Sequence, residues 1–312
     1  MLRVAVIGVG YMGRFHAQKL AASKGAKLIG VVDASLARAE EIAHEVRCSA
    51  HTDYRRLLQG IDAAAVAVPT ELHYRVVRDC LQAGVHVLVE KPLARSVAEA
   101  DRLRALARRK RLVLQVGHLE RFNPAFRALA NSAQRPLFID IERLAPFKAR
   151  GIDVDVVLDL MIHDLDLALA LDPTPVRHVS ACGFRVLTRD VDIANARIEF
   201  ASGCVASVSA SRVSQVPVRK LRVIRGRSYV SADLQGQRLR TVRRTSSGIR
   251  EIERTFERTD ALALQAAAFL RAVRSRRSPA VGADEGRRAL DLALQVSRLV
   301  SARLARIGAR RR

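Results

Sequence analysis

A lysine at the end of an apolar segment is the first side chain in this sequence that could move a proton. Lys91 lies between the mainly apolar segment 85–90 and Pro92. The apolar segment predicts a buried strand, and open α/β sheets bind ligands at the carboxyl ends of their strands. A lysine held there beside a positively charged ring would have a lowered pKa, suited to proton transfer; a surface lysine paired with Glu90 is the alternative. We also expect a cis bond before Pro92.

A cluster of titratable side chains occurs in residues 159–166, which read DLMIHDLD. Spacings of four and seven predict that Asp159, His163 and Asp166 share one face of a helix. A carboxylate beside an imidazole orients the ring and raises its basicity, as a general base for alcohol oxidation requires. A capping Asp159 with a core histidine is the alternative. No second histidine or cysteine stands nearby, so we predict no metal site.

The segment from Val4 to Gly13 has the spacing of a dinucleotide-binding turn, GxGxxG, between a predicted strand and a predicted helix. The first glycine permits the turn, the second lets a pyrophosphate approach, the third allows close helix packing, and the helix N-terminus binds the phosphates. Asp33 ends the next strand and would hydrogen-bond the adenosine ribose, which favours NAD over NADP. Arg38, which could instead bind a 2′-phosphate, leaves that preference open. The predicted contacts here are Gly8, Gly10, Tyr11, Met12, Gly13 and Asp33.

Further segments follow the carboxyl ends of predicted strands, where an open α/β sheet binds its ligand. They are residues 68–70 with His73, residues 90–92, and residues 117–118. The predicted cofactor contacts therefore also include Pro69, Thr70, His73, Glu90 and Lys91.

Periodicity predicts two domains of different architecture. In the first 117 residues, apolar runs alternate with amphipathic stretches, which is typical of βαβ units and a doubly wound parallel sheet. The predicted strands are 3–8, 27–33, 62–68, 85–90 and 112–117, and the predicted helices 11–23, 36–46, 71–83 and 96–110. From about residue 136, longer alternating runs predict a mainly antiparallel sheet. Its strands are 137–144, 177–187, 194–200, 204–212 and 218–225, with helices at 159–171, 260–275 and 284–308. We place the domains at 1–119 and 120–312.

Composition excludes several classes of protein. With 49% hydrophobic residues, the 312-residue chain can bury a core and is neither disordered nor stapled by disulfides. Its four cysteines are widely spaced, and the sequence shows neither a membrane span nor a signal peptide, so we expect a cytoplasmic protein with free thiols. The net charge is +23, but only 4% of the residues are aromatic and no DNA-binding motif appears. We therefore expect no nucleic-acid partner.

Four segments together resemble the Gfo/Idh/MocA oxidoreductases: GVGYMGRFHAQ, VPTELH, AGVHVLVEKPLA and DLMIHDLDL. They occur in the family's order and span essentially the whole chain. The resemblance implies an N-terminal Rossmann domain and a C-terminal α/β domain with an open, mainly antiparallel sheet, which binds substrate and forms a homodimer or homotetramer. It also implies a nicotinamide cofactor and hydride transfer at a sugar or cyclitol carbinol. Lys91 matches the lysine of the EKP motif, while Asp159 and His163 match the DxxxH motif, whose histidine is the usual acid/base.

Residues 117–125, GHLERFNPA, resemble a narrower branch that oxidises C3 of UDP-N-acetylglucosamine for diamino-sugar synthesis. Met161 stands where many members have glycine, and it narrows the space near the substrate. The resemblance implies an aminotransferase downstream and a role in lipopolysaccharide synthesis. Arg121 would meet the diphosphate, or else pair with Glu120 or other neighbours. The candidate substrate contacts are His118, Glu120, Arg121, Asn123, Asp159 and His163.

Two other functions remain open at this point. One keeps the mechanism and changes the substrate to an uncharged hexose, inositol or dihydrodiol. The other is a cofactor-sensing regulator without catalysis. The presence of Lys91, Asp159 and His163 together argues against the regulator, because a sensor needs none of this proton chemistry.

Overall fold

The computed structural model describes residues 1–132, 134–147 and 154–309. The chain forms two compact units. The first unit comprises Met1–Leu119 and Asp260–Leu290, and the second comprises Glu120–Thr259 and Asp291–Arg312. The predicted second domain, 120–312, therefore needs correction, because residues 260–290 pack with the first unit.

The first unit contains a six-stranded parallel sheet with the strand order β3-β2-β1-β4-β5-β6. Its central strands are apolar on both faces, as expected where helices cover both sides of a sheet. The very short β3 was not predicted, since three residues carry too little periodicity. The strands are β1 (Leu2–Ile7), β2 (Ala26–Val32), β3 (Ser49–His51), β4 (Ala63–Val66), β5 (His86–Val89) and β6 (Leu114–Val116).

Four crossover helices connect these strands, and local sequence explains where they begin. Ser35 and Ser96 cap two of them by accepting hydrogen bonds from Arg38 N and Glu99 N. The other two begin after Gly10 and Pro69 without a side-chain cap. The helices are α1 (Tyr11–Ala21), α2 (Leu36–Val46), α3 (Thr70–Gln82) and α4 (Val97–Lys110).

The second unit contains an eight-stranded sheet with the strand order β14-β13-β12-β11-β7-β10-β9-β8. Neighbouring strands are antiparallel except β7 and β10, which pair in parallel. Helices α5 (Pro124–Ala130) and α6 (Ile162–Leu171) belong to this unit. The strands are β7 (Phe138–Leu144), β8 (Val176–Phe184), β9 (Ile193–Phe200), β10 (Val205–Ser211), β11 (Val218–Arg225), β12 (Ser228–Asp233), β13 (Arg238–Thr245) and β14 (Gly248–Thr255).

Two differences from the predicted strands have local causes. Strands β13 and β14 were missed because arginines and glutamates fill positions where apolar residues would have marked alternation. Strand β12 was missed because its six residues, SYVSAD, include only a short apolar pattern. Strand β8 ends at Phe184 rather than at residue 187, because Asp192 accepts hydrogen bonds from the amides of Val186, Leu187 and Thr188 at 2.7–2.9 Å. Burial acts to raise the pKa of Asp192, but these bonds lower it to about 2. The carboxylate thereby closes a loop where the alternating pattern predicted strand.

The last two helices are α7 (Ala261–Ser275) and α8 (Ala283–Ala309). Helix α7 packs against α1. Its Ala266, Phe269 and Leu270 are buried in the same core cluster as Val6 and Leu20. This apolar contact explains why the segment belongs to the first unit. No helix in the described part of the chain is long and apolar enough to cross a membrane.

Candidate active-site residues in the two units

The glycine turn of the first unit has the backbone that a dinucleotide requires. Gly8 has a φ of +84°, and a Cβ placed on it would lie 2.7 Å from the carbonyl oxygen of Ala67. A Cβ on Gly13 would lie 1.8 Å from the carbonyl oxygen of Gly8, so both positions need glycine. A Cβ on Gly10 would meet nothing within 4 Å. The turn is therefore tight at both ends and open in the middle, where a pyrophosphate would approach.

The first turn of α1 is suited to bind an anion. Gly10 provides no side-chain cap, and the first turn holds no acidic residue. No capping side chain therefore accepts hydrogen bonds from its first N–H groups, and these groups, with the positive end of the helix dipole, can bind an anion. Tyr11, 60% exposed, packs edge-on against Phe15 with ring centroids 5.2 Å apart. Met12, the other predicted contact of this turn, is half-buried.

Asp33 is held against the glycine turn. Its carboxylate accepts hydrogen bonds from Val9 N and Ser35 N, each at 3.0 Å. Arg38 donates from Nε to the carbonyl oxygen of Val9 at 2.9 Å and from Nη1 to Glu41 at 2.7 Å. Two nitrogens of this guanidinium are thus committed to protein acceptors, while the Asp33 carboxylate is fixed at the end of β2. This geometry favours a ribose diol over a 2′-phosphate.

The side chain of the residue before Lys91 is held by a hydrogen bond to a buried histidine. Glu90 Oε1 lies 2.7 Å from Nε2 of His16, whose side chain is 2% exposed. Burial acts to raise the pKa of the Glu90 carboxyl, but the His16 hydrogen bond and the charges of His16 and Lys91 outweigh it and hold that pKa below its usual range. Gly117 leaves the space, since a Cβ there would lie 3.0 Å from Glu90 Oε2. Sequence reasoning missed His16, although an isolated histidine three residues after Gly13 is the available signal.

The residue after Lys91 is fixed by a second histidine. The Lys91–Pro92 bond is cis, as expected. His73 is 1% exposed, with Nδ1 2.7 Å from the carbonyl oxygen of Pro92 and Nε2 2.9 Å from that of Val68. The ring thus joins the loop after β4, where Pro69 and Thr70 lie, to the loop after β5. His73 holds these loops through their backbones. Half-buried Lys91 thus lies between two residues that each contact a histidine, Glu90 through its side chain and Pro92 through its backbone.

In the second unit, Asp159 lies in a π-helical turn, Val157–Met161, directly before α6. The prediction of one regular helix over 159–171 is therefore wrong in its first turn. The α-helical spacing rule does not apply across this turn, so the common face of Asp159 and His163 stays a prediction. Asp159 and His163 are both half-buried. Single π turns inside helices are frequent at functional sites.

The chain entering this π turn is held by Arg212. Its Nη2 donates to the carbonyl oxygens of Val154 and Val191 at 2.6 and 2.9 Å. Val156 N in turn donates to the carbonyl oxygen of Val191 at 3.0 Å. These bonds join the start of the π turn to the loop that Asp192 closes, and they fix the backbone that leads to Asp159.

A buried ion network holds the start of α6 against the sheet. Arg143, on β7, forms a bidentate pair with Asp164 at 2.7 and 2.8 Å and contacts Glu120 at 3.1 Å. Burial acts to lower the pKa of the Arg143 guanidinium, but the two carboxylates raise it above its ordinary value. Arg219 adds a 3.2 Å contact to Glu120. Because Asp164 follows His163 in the chain, the network fixes the backbone beside the imidazole.

Sequence reasoning missed Arg143 and Asp164. The available signal in the sequence was an arginine at a position where the alternating pattern of the strand places buried residues. Ile139, Ile141 and Arg143 all point to the buried face of β7. An acidic residue in the apolar stripe of α6 is its partner.

The candidate substrate-binding residues Arg121 and Asn123 form hydrogen bonds to other residues of the second unit. Arg121 forms a bidentate pair with Asp166 at 2.6 and 3.0 Å, and Asp166 is 1% exposed. Asn123 caps α5 by accepting from Ala125 N at 3.0 Å and donates to the carbonyl oxygen of Leu234 at 2.8 Å. Two nitrogens of Arg121 and both ends of the Asn123 amide thus have protein partners. This is the pairing with neighbours that sequence analysis kept as the alternative for Arg121.

The remaining candidate residue is His118, and the remaining question is a metal site. His118, directly after β6, is 1% exposed. Within residues 1–132, 134–147 and 154–309, no three His, Cys, Asp or Glu side chains are grouped to hold a metal ion.

Comparison with known proteins covers both units. Residues 2–118 match the family described as an oxidoreductase family with an NAD-binding Rossmann fold, and residues 144–227 match the Gfo/Idh/MocA C-terminal domain. The chain is 40% identical to UDP-N-acetylglucosamine 3-dehydrogenase of Acidithiobacillus ferrooxidans, covering 98% of this chain and 99% of the relative. A solved structure of that enzyme matches with a TM-score of 0.92 over 96% of this chain and 98% of the other. The chain is also 33% identical to scyllo-inositol 2-dehydrogenase (NAD(+)) of Bacillus subtilis, over 68% of each protein.

Proposed function

Because the chain belongs to the Gfo/Idh/MocA family of oxidoreductases, with an NAD-binding Rossmann domain as its first unit, we propose that it oxidises C3 of UDP-N-acetylglucosamine to a ketone. The observation that carries the proposal is the likeness to the Acidithiobacillus enzyme across nearly the whole of both chains. The scyllo-inositol 2-dehydrogenase of Bacillus subtilis is less similar, with 33% identity over 68% of this chain, so an inositol is the second candidate substrate.

The proposed chemistry assigns each proton step to a named side chain. The nicotinamide, when bound, accepts the hydride. His163 takes the proton of the substrate hydroxyl, and Asp159 orients the imidazole. Lys91 assists the proton transfer from the fixed loop after β5. The contacts of His16 with Glu90, of His73 with the Pro92 carbonyl oxygen and of Arg143 with Asp164 support these assignments. They hold the residues next to Lys91 and His163, and a general base must be held within hydrogen-bonding reach of its proton.

The fixed carboxylate of Asp33 predicts a preference for NAD over NADP. We expect Asp33→Ala to weaken NAD binding roughly 10-fold to 100-fold, since it removes charge-assisted hydrogen bonds to the ribose. Asp33→Asn is the matched variant, because an amide oxygen can still accept from Val9 N while the charge is lost. NADP affinity should therefore rise in Asp33→Asn. Dissociation constants for both dinucleotides test this, and tighter binding of NADP than of NAD by the unmodified protein would refute it.

The substrate proposal predicts NADH formation from UDP-N-acetylglucosamine. Alcohol oxidation by NAD is uphill at neutral pH, so little NADH should accumulate from the dehydrogenase alone. We expect a pyridoxal-phosphate aminotransferase with glutamate to remove the ketone, sustain NADH formation and yield a 3-amino product. Such an aminotransferase is the proposed partner in amino-sugar synthesis directed to lipopolysaccharide. Faster turnover of free inositol or glucose in the same coupled assay would reject the UDP-sugar and leave the dehydrogenase assignment intact.

A homodimer or homotetramer is part of the proposal. Both α5 and α6 contact the face of the eight-stranded sheet that carries Arg143, and the opposite face has exposed apolar side chains. That opposite face includes Phe184 and Ile224, which are 50% and 40% exposed. A second copy of the chain covering this face would bury them. Light scattering on the purified protein measures the oligomeric state.

A further inference from the structure

A row of arginines crosses four strands at one end of the second unit's sheet. Register pairs Arg225 with Ser228, Ser228 with Arg243, and Arg243 with Arg250. All four side chains therefore lie on the same face, the face that α5 covers. Like charges directly opposite each other on neighbouring strands are destabilising, and Arg243 and Arg250 form such a pair. The row concentrates positive charge without an acidic side chain between its members.

Arg225 is the buried member of this row. It is 3% exposed, and its Nη1 donates to the carbonyl oxygen of Leu129 at 2.8 Å. Its Nε is buried and has no hydrogen-bond partner among the described residues. Burial lowers the pKa of this guanidinium, and no carboxylate opposes that effect. A buried cation with an unused N–H group is costly unless an anion completes the arrangement.

The arginine row borders a cavity of about 370 Å³, which is within the range of small-molecule sites. Arg254 adds a fourth guanidinium to its lining, and the apolar wall consists of Leu129, Val230, Leu239 and Ile252. None of the described lining residues is acidic. We call this cavity, with Arg225, Arg243, Arg250 and Arg254, the arginine pocket.

We propose that the arginine pocket binds a phosphorylated small molecule. The guanidinium row would hold a phosphate or diphosphate, since the planar fork of arginine matches phosphate oxygens and several cations suit a multiply charged anion. The apolar wall would contact the uncharged remainder of the ligand. Only 4% of the residues are aromatic, which leaves few stacking platforms for nucleic-acid bases, and the volume of the pocket suits a small molecule. A soluble metabolite is therefore the expected ligand.

The arginine pocket is separate from the helix that carries His163. Along β11, Arg225 lies six residues from Arg219, which contacts the Glu120 of the α6 network. Six strand residues span roughly 20 Å. Arg225 is therefore at the opposite end of this strand, and Arg254, which is in register with Leu221, lies three strands away on β14. Occupancy of the pocket requires neither the proposed substrate nor the proposed reaction.

Calorimetric titration with inorganic pyrophosphate tests the pocket. Saturating NAD is present throughout, so that the glycine turn of the first unit is already filled. We expect one site per chain, with binding at least tenfold weaker in Arg243→Gln and in Arg250→Gln. Both side chains are exposed, so neither change should disturb folding. Arg238→Gln is the matched control, because it removes an exposed arginine from the same strand on the opposite face. It should bind as the unmodified protein does.

Three results would overturn the proposal. Equal affinity in all four proteins would place the pyrophosphate elsewhere. Equal weakening in Arg238→Gln would show attraction by net charge alone. Displacement of pyrophosphate by saturating UDP-N-acetylglucosamine would assign the phosphate contacts to the substrate and reject a separate site. Arg225→Met provides a further measurement: pyrophosphate should raise the melting temperature of the unmodified protein and should have no such effect on this variant.

Discussion

Replacing Lys91 by methionine is expected to lower turnover by roughly two to four powers of ten, the usual contribution of a positioned acid or base. The affinity for NAD should change little, because the turn at Gly8 and the carboxylate of Asp33 remain intact. Methionine keeps much of the length of the lysine side chain and removes its proton-transferring group. The measurement is turnover at saturating NAD and substrate, together with the dissociation constant of NAD.

The structure explains why this lysine should be sensitive. The side chain of the preceding residue is hydrogen-bonded to His16 and the carbonyl oxygen of the following residue to His73, so Lys91 extends from a loop that is held on both sides. Lys110→Met is the matched control, since that lysine is on α4 and contacts only the carbonyl oxygen of Gln82 among the described residues. If Lys91→Met retained near-normal turnover, Lys91 would have no part in proton transfer, and its motif would serve only to shape the loop.

Local sequence predicted the features that depend on a few neighbouring residues. The glycine turn, the position of Asp33 and the cis bond before Pro92 belong to this group. For the turn and the cis bond, the type of residue limits the backbone directly: glycine is needed at a positive φ, and proline is the residue that commonly permits a cis bond. The position of Asp33 follows from its distance along the chain from the glycine turn. Such limits act over a few residues and can be seen in a single sequence.

Features that depend on distant partners were not predictable in the same way. The π turn at Asp159 interrupts a stretch whose apolar spacing fits a regular helix, and its entry is held by Arg212, more than fifty residues away. The pairing of Arg143 with Asp164 likewise joins β7 to α6. Residues 260–275 read correctly as a helix, but periodicity does not say which sheet a helix covers. The core contacts of Phe269 decide that.

Replacing His163 by asparagine should also lower turnover by roughly two to four powers of ten, since the amide cannot take up the hydroxyl proton. Asp159→Asn should cost less, because that carboxylate orients the imidazole and transfers no proton itself. NAD affinity should be retained in both variants, as these residues belong to the second unit and the glycine turn to the first. Turnover and NAD binding are measured as for Lys91.

The ion network around α6 makes His163→Asn a direct test of proton transfer. Asp164 stays paired with Arg143, and Asp166 with Arg121, so the helix should keep its place when the imidazole is removed. Added imidazole should then restore part of the lost rate, which a merely structural defect would not allow. His44→Asn, at an exposed position of α2, is the matched control and should leave turnover unchanged. Near-normal turnover in His163→Asn would mean that another group is the base, and Lys91 would then be the first candidate.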